Sequence, residues 1–444
     1  MPRVRSGWRL VVLSALAVTG CTSSGTSSGG SPAEPLATGP ASGTITWAAS
    51  PIAGSGTTDA RTVLISTFEK QYPDIHVTLV PAPTNTDTNQ AGLATEISRG
   101  SAAPDVFMGG VTWPAQFGAR QLALPLSDYL PQSYWKQFAP GLVQGTTYHG
   151  KVYGSPLFED QGFLYYRKDL LAEEHMPVPK TWQQLASDAR RLQRAGLVKY
   201  GFVFQGASYE GLTSDFMEYL TDAGGTAVNS AYTRATLDSP QAIKAVTFMR
   251  RLVTTGVTPR AITAFREQQA VNVFAAGQSA FLRNWSYAYS VATTPAISAL
   301  TPKQVGVAPL PTFAGQSYPG YSGIDGWNMY VNPHSQHLAA DLKFIEFLAS
   351  PAAQNLLATQ YSEIPVTTAV RDSATVKAQS PVLAVASRTK LVPRPAGTPN
   401  YPALSTAIYT NVNAALAGSA SPSAAMASAQ HQANTALTTT GGGL

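Results

Sequence analysis

The stretch RTVLISTFEKQYPDIHVTL, residues 61 to 79, changes its hydrophobic period once, and that change decides the fold class. In its first part Leu64, Phe68 and Tyr72 recur every four residues with Ile65 beside them, which sets them on one face of a helix. In its second part Ile75, Val77 and Leu79 alternate with Asp74, His76 and Thr78, the pattern of a half-buried strand. A helix that gives way to a strand over so short a turn is half of an α/β unit.

The alternation continues on both sides. Upstream, Thr46-Trp47-Ala48-Ala49 reads as a buried strand. Downstream, Thr181 caps a helix carrying Leu185, Ala189 and Leu192, which Gly196 ends before the apolar run 200 to 204. Ser239-Pro240 supplies a cap and a proline at the first helical position, opening a helix striped with Val246, Met249 and Val253. Residues 267 to 276 read as helix, Gly277 as its stop, and Ala280-Phe281-Leu282 as a buried strand. Residues 335 to 349 carry another helical stripe, and Ser350-Pro351 starts a helix at once. Strands alternating with helices imply α/β units around largely parallel sheets. A chain of 444 residues exceeds one ordinary core, so two domains are expected. No internal repeat is visible.

The N-terminus has a different composition. Arg3, Arg5 and Arg9 flank an apolar run over 10 to 18, too short to span a bilayer at about 20 residues per crossing. Residues 1 to 20 therefore read as a signal peptide. The chain's one cysteine, Cys21, follows directly, so no internal disulfide is expected and the core must hold the fold. Residues 22 to 43 are mostly Ser, Gly, Thr, Pro and Ala with the single charge Glu34, a flexible tether. The small-residue tail from about 415 onward has enough Ala and Gln to support a terminal helix.

Charge argues against nucleic acid. The formal net charge is +5, but three of the 30 basic residues and none of the 25 acidic ones lie in the signal peptide, which leaves +2 for the rest. No basic cluster stands out.

Motifs for chemistry are sparse. His334 and His337 follow the turn signal Asn332-Pro333 and have no cysteine partners, so no metal site is expected. Gly54-Ser55-Gly56 lacks the later glycine and the lysine of phosphate-binding loops. Glu159 and Asp160 are adjacent and, if extended, point to opposite sides, a poor acid/base pair by themselves. No serine-hydrolase elbow occurs between a strand and a helix. No cofactor is implied.

What the sequence does offer is aromatic residues beside polar ones in loop-like segments: RNWSYAY (283 to 289), GIDGWNMY (323 to 330) and FQGASYEGL (204 to 212). Aromatic faces stack on the C–H faces of sugar rings, and carboxylates, amides and guanidinium groups bind hydroxyls.

These segments, with PDVFMGGVTWPAQF (104 to 117), LALPLSDYL (122 to 130), FEDQGFLYYRKDLL (158 to 171), TWQQL (181 to 185) and GWNMYVN (326 to 332), resemble the extracellular solute-binding lipoproteins of ABC importers. The likeness is to the branch that binds sugars such as maltose and trehalose. Val18-Thr19-Gly20-Cys21 similarly resembles a lipobox, which implies acyl chains on Cys21 and anchoring to the outside of a bacterial cell membrane.

The resemblance implies a two-lobed α/β fold with a ligand cleft and hinge. The N-terminal lobe would comprise 44–158 and 312–350, the C-terminal lobe 159–311 and 351–444, with PLFEDQGFLYYR (156 to 167) as the first crossing. Carried over by position, Asp160 is a polar ligand-binding residue with Phe158 as its aromatic neighbour, and Trp285 stacks on the sugar. Glu267 is a cleft carboxylate, Gly326 and Trp327 line the cleft, and Arg394 binds hydroxyls. Tyr209 and Glu210 fall in a motif near the cleft. Gly110 departs from the pattern, standing where maltose and trehalose binders tend to carry aspartate. The implied protein is a monomeric, non-enzymatic receptor that passes a disaccharide or short oligosaccharide to membrane permease subunits. Two alternatives stay open: a secreted glycoside-processing enzyme, and a binder of a non-sugar solute such as a polyamine or osmolyte, because aromatic boxes also hold cations.

Overall fold

A computed structural model describes residues 41–52 and 58–438. The signal peptide, Cys21, the tether up to residue 40 and Gly54-Ser55-Gly56 lie outside the described residues. The strands are β1 (Gly43–Ala49), β2 (Ile75–Pro81), β3 (Val106–Gly110), β4 (Thr147–Tyr148), β5 (Lys151–Val152), β6 (Ser155–Gln161), β7 (Phe163–Arg167), β8 (Tyr200–Val203), β9 (Ser279–Asn284), β10 (Val305–Ala308), β11 (Tyr321–Val331) and β12 (Lys390–Val392). They form a first sheet ordered β12-β11-β3-β1-β2 with β6 also on β11, a second ordered β10-β7-β9-β8, and the small hairpin β4-β5.

β1 lies between β2 and β3 and is buried on both faces. Ile45, Trp47 and Ala49 pack with Leu64, Phe68 and Phe344, whereas Ala48 packs with Phe107, Trp113 and Phe117 on the opposite side. Double-sided burial explains why its inner residues lack polar alternation. The helix Ala60–Gln71 is capped by Asp59, which accepts from the Arg61 amide, and it lays Leu64 and Phe68 on this sheet as the four-residue spacing requires. In the second core Thr181 caps the helix Trp182–Arg194 by accepting from the Gln184 amide at 3.1 Å. That helix packs Trp182, Leu185 and Leu192 with Phe202 and Phe281 of the second sheet. The terminal helices Tyr401–Ala417 and Pro422–Thr438 close the same core, so the small-residue tail is helical as far as residue 438.

Two expectations need correction. The sheets are mixed rather than largely parallel: β1–β2, β1–β3, β8–β9 and β11–β12 are parallel, but β11 runs antiparallel to β3 and β6, and β7 antiparallel to β9 and β10. Strands fed by their own helical crossover enter parallel, whereas β6, β7 and β11 belong to extended segments that touch both sheets and meet partners running the other way. The division at residue 350 does not follow the packing either. Ala353, Leu357, Tyr361 and Val366 join the core of the first sheet while Ala358 and Ile364 join that of the second, and β12 pairs with β11.

Gly162 is the single residue between β6 of the first sheet and β7 of the second. The Ser322 hydroxyl donates to its carbonyl at 2.6 Å, and a Cβ there would run into the side chains of Glu218 and Arg283. Only glycine lets the backbone pass so close to this buried ion pair.

Candidate ligand-binding cleft

A cavity of about 570 Å³ opens where β6 and β11 meet the segment after β9. Phe158, Asp160, Glu210, Glu267, Trp285, Trp327 and Arg394 all line it, as does Gly110. Tyr209 and Gly326, expected in the same set, are not among the lining residues. Tyr209 is buried against the cleft residues, with the Arg266 guanidinium 5.2 Å from its ring centroid. Gly326 has φ +131°, and a Cβ there would strike the Phe158 carbonyl, so this glycine holds β11 tight against β6 while its neighbours Asp325 and Trp327 reach the cavity.

Strand alternation does the sorting on β6. Phe158 and Asp160 face the cavity, and Glu159 and Gln161 face a separate cavity of about 490 Å³ on the other side. The adjacent carboxylates therefore do point apart, as the sequence implied. Glu159 is ion-paired with Arg371 and accepts from Gln161 Nε2 at 2.6 Å. Asp160 accepts from the Ser286 amide at 3.2 Å and from the Ser286 hydroxyl. Burial, aided by the charges of Asp325 and Glu159, pushes the Asp160 carboxyl up to about 7 even against the Ser286 hydrogen bonds.

Trp285 is held in place from three directions. Its amide donates to Asn284 Oδ1 at 2.8 Å, its carbonyl accepts from the Tyr165 hydroxyl at 2.6 Å, and the Arg283 guanidinium lies 3.9 Å from its ring centroid. Arg283 is itself buried and fixed by Asp215 at 3.0 Å, by Glu218 and by Gln205. A cation packed on an aromatic face both attracts and immobilises the ring.

Arg394 bridges two carboxylates, donating to Glu210 Oε1 and to Asp325 Oδ1, each at 2.7 Å. Burial alone would lower its pKa, but Asp325 and Glu210 more than offset that, so it stays charged. Its Nε is buried and has no protein partner among the described residues. The Glu210 carboxylate is occupied by Arg394, the Tyr401 hydroxyl and the Ser405 hydroxyl, so it orients Arg394 rather than offering free acceptors. Glu267 opens the helix Glu267–Ala275 and is pushed upward by burial. It serves the helix terminus and lines the cavity at the same time.

Sequence reasoning missed Asp59, Arg61, Asp87, Arg266 and Glu363, which also line the cavity. Asp59 and Asp87 had a detectable signal, since each stands at the start of a helix. Asp87 reaches across to accept from the Glu210 amide at 3.3 Å. Glu363 had none: the antiparallel bridge Glu159↔Ile364 brings it beside Asp160 from a distant part of the chain. At Gly110 the Trp113 indole is close by, with Nε1 3.1 Å from where a Cβ would stand.

Among the described residues no group of three or more His, Cys, Asp and Glu is arranged to hold a metal ion. Also among them, no helix is long and apolar enough to cross a membrane.

A family model described as bacterial extracellular solute-binding protein matches residues 54–355. A probable ABC transporter-binding protein of Deinococcus radiodurans is 35% identical over 308 residues, 68% of this chain and 72% of that one. The maltose-bound MalE3 of T. maritima matches with a TM-score of 0.81 at 31% identity, covering 88% of this chain and 99% of that one. A mannitol-binding protein of Pseudomonas aeruginosa is 30% identical over 165 residues, 36% of this chain and 37% of that protein.

Proposed function

The chain belongs to the bacterial extracellular solute-binding proteins, and from that premise we propose that its cleft captures a neutral sugar or sugar alcohol for an ABC importer. Membership of this family places the protein outside the cytoplasm. The observation that carries the choice of solute is the cavity wall. Phe158, Trp285 and Trp327 offer rings, while Asp160 and Arg394 add fixed polar groups. Rings for C–H faces with a few fixed polar groups is how a site recognises a polyhydroxyl compound. At about 570 Å³ the cavity is within the range of small-molecule sites and has room for a disaccharide such as maltose or trehalose. Two of these similar proteins, a maltose-bound one and a mannitol-binding one, support the same class.

In this reading the two sheets are the cores of two lobes that close on the solute, Gly162 marks a crossing between them, and lipidated Cys21 holds the receptor near its permease. Named relatives are binding proteins, and we read this chain as a binder that releases its solute unchanged.

A cationic solute is the second reading, because carboxylates outnumber cations in the cavity wall. Charge pairing weakens it. Asp59 is held by Arg61, Glu210 and Asp325 by Arg394, and burial raises Asp160 and Glu363 toward their neutral forms. Calorimetric titration of the mature protein with maltose, trehalose, mannitol and a polyamine separates the two. Saturable binding of a sugar or polyol with the solute recovered intact supports the proposal; binding of the polyamine alone, or turnover of a sugar, overturns it.

A further inference from the structure

Glu363 is 1% exposed, lines the cleft and was invisible in the sequence. The helix Pro351–Tyr361 ends at Ser362 in the left-handed region, φ 60°, an uncommon conformation for a residue with a side chain. The chain then pairs with β6, the Glu159 amide donating to the Ile364 carbonyl at 3.0 Å and the Ile364 amide returning a bond at 3.3 Å. This turn sets the Glu363 carboxyl against Ser286 and Asp160. Ser286 is fully buried, and its hydroxyl contacts Asp160 Oδ1 and, at 3.3 Å, Glu363 Oε2.

Counting hydrogens decides what these contacts mean. A serine hydroxyl carries one proton and can donate it to one carboxylate only. If Ser286 donates to Asp160, its oxygen lone pairs face Glu363, and that contact is favourable only when Glu363 carries a proton and donates it. The reverse assignment leaves the proton on Asp160. Among the described residues neither carboxyl is ion-paired to Lys or Arg, unlike Glu159 with Arg371. Two like charges this close in a buried site do not both ionise readily.

We propose that Glu363, acting through Ser286, shares a single proton with Asp160, so that the cleft holds one neutral and one ionised carboxyl in fixed orientation, whose oxygens not spent on Ser286 accept from the hydroxyls of its solute. The second half of the proposal rests on the reading of the cleft as a sugar or polyol site. The ionisable groups around the pair are Asp325 of β11, Glu159 of β6, Tyr165 of β7 and Tyr287 beyond β9, with Arg283 and Glu267 behind the two tyrosines. Burial raises both carboxyls; the charge of Asp160 raises Glu363 further, the charges of Asp325 and Glu159 raise Asp160, and the Ser286 hydrogen bonds oppose both shifts. The sign follows: the folded-state pKa of Asp160, about 7, lies above its ordinary 3.8. Its contribution to stability is therefore complete below the ordinary value and is lost as pH rises toward and through about 7.

The test begins without solute. Infrared spectra of the wild type should contain a protonated-carboxyl C=O band that fades as pH rises through neutrality. In Glu363→Gln the amide donates to Ser286, so the pair's contribution to that band should be missing from the variant, leaving only that of other buried carboxyls such as Asp222 and Asp341, and thermal stability should fall less steeply with pH. Ser286→Ala serves as the second variant, since deleting the bridge should also alter the band. Identical bands in wild type and both variants, with parallel stability curves, overturn the shared proton. If Glu363→Gln does not fold, Ser286→Ala and the wild-type titration decide alone. Maltose and mannitol are then titrated across the same pH range. Affinity should fall by up to about tenfold per pH unit above the transition in the wild type, and this slope should be flattened in Glu363→Gln. A pH-independent affinity overturns the role in recognition. Failure of both solutes to bind strikes the sugar reading, which the band measurement leaves separate.

Discussion

The β6–β11 ribbon separates two cavities of similar size, about 570 Å³ on one side and about 490 Å³ on the other, and neighbouring residues of one strand serve each. On the far side Glu159 meets Arg371, Gln161 meets Thr389, and the remaining wall is largely aliphatic, with Leu142, Ile324, Leu383 and Leu391. On the cleft side Asp160 has no cation partner among the described residues, and the rings of Phe158, Trp285 and Trp327 stand in a wall that is otherwise mostly polar. The difference teaches where function is stored. One wall satisfies its charges internally and is a structural joint, and the other leaves polar capacity for a guest.

The sharpest way to break this comparison is through the two arginines. Arg283, 1% exposed, neutralises Asp215 and Glu218 beneath the cleft, whereas the Arg371 side chain is 27% exposed and pairs with Glu159. Arg283→Met strands buried carboxylates and should cost about 3–5 kcal/mol of stability, measured by denaturant unfolding, along with the stacking surface it supports. Arg371→Met should cost roughly 1–3 kcal/mol, since water reaches its side of the pair. Equal losses would mean that the two sides are built alike.

Next comes Trp285→Ala. Trp285 is 4% exposed in a wall that a solute would complete, so calorimetry should show affinity weakened by at least about thirtyfold, or ~2 kcal/mol. An unchanged affinity would remove Trp285 from the site. Circular dichroism should report a folded variant, because the Arg283 network stays intact.

A paired substitution on one strand then tests the alternation directly. Asp160→Asn should weaken solute binding by about 1–2 kcal/mol, by removing an acceptor that faces the cleft. Glu159→Gln should leave affinity almost unchanged and lower stability, because it weakens the pair with Arg371 and the contact with Gln161 on the far side of the strand. Equal effects on binding would contradict the division between the walls.

How much of this was legible follows from how local each signal is. The period change over 61 to 79, the Thr181 and Ser239 caps and the helix from Glu267 depend on residues within one turn of each other, and the structure contains each element where the pattern put it. Strand direction was not legible, because whether β11 runs with or against β3 depends on where the chain has travelled between them. In the cleft, Trp285, Trp327 and Asp160 stood beside glycines or other polar and aromatic residues that marked them. Glu363 follows Tyr361-Ser362, but it reaches the cleft through a backbone bridge to β6, a pairing that no window of sequence contains.

Gly110 supplies the smallest expected effect and tests the cleft wall itself. It pairs with Trp327 across β3 and β11, and the Trp113 indole stands where a side chain would grow. The nearest atom would be 3.1 Å from a new Cβ, so the neighbouring ring must yield by a few tenths of an ångström. Gly110→Asp should therefore cost about 1 kcal/mol of stability from crowding, while placing a carboxylate in the cavity wall. If the solute leaves a hydroxyl unanswered there, that carboxylate should raise affinity by roughly fivefold, about 1 kcal/mol. If Trp113 already completes the wall, affinity should drop instead. Titrating maltose and mannitol against the variant separates these cases: a gain for one solute and a loss for the other would show that this position tunes which polyhydroxyl compound the cleft accepts.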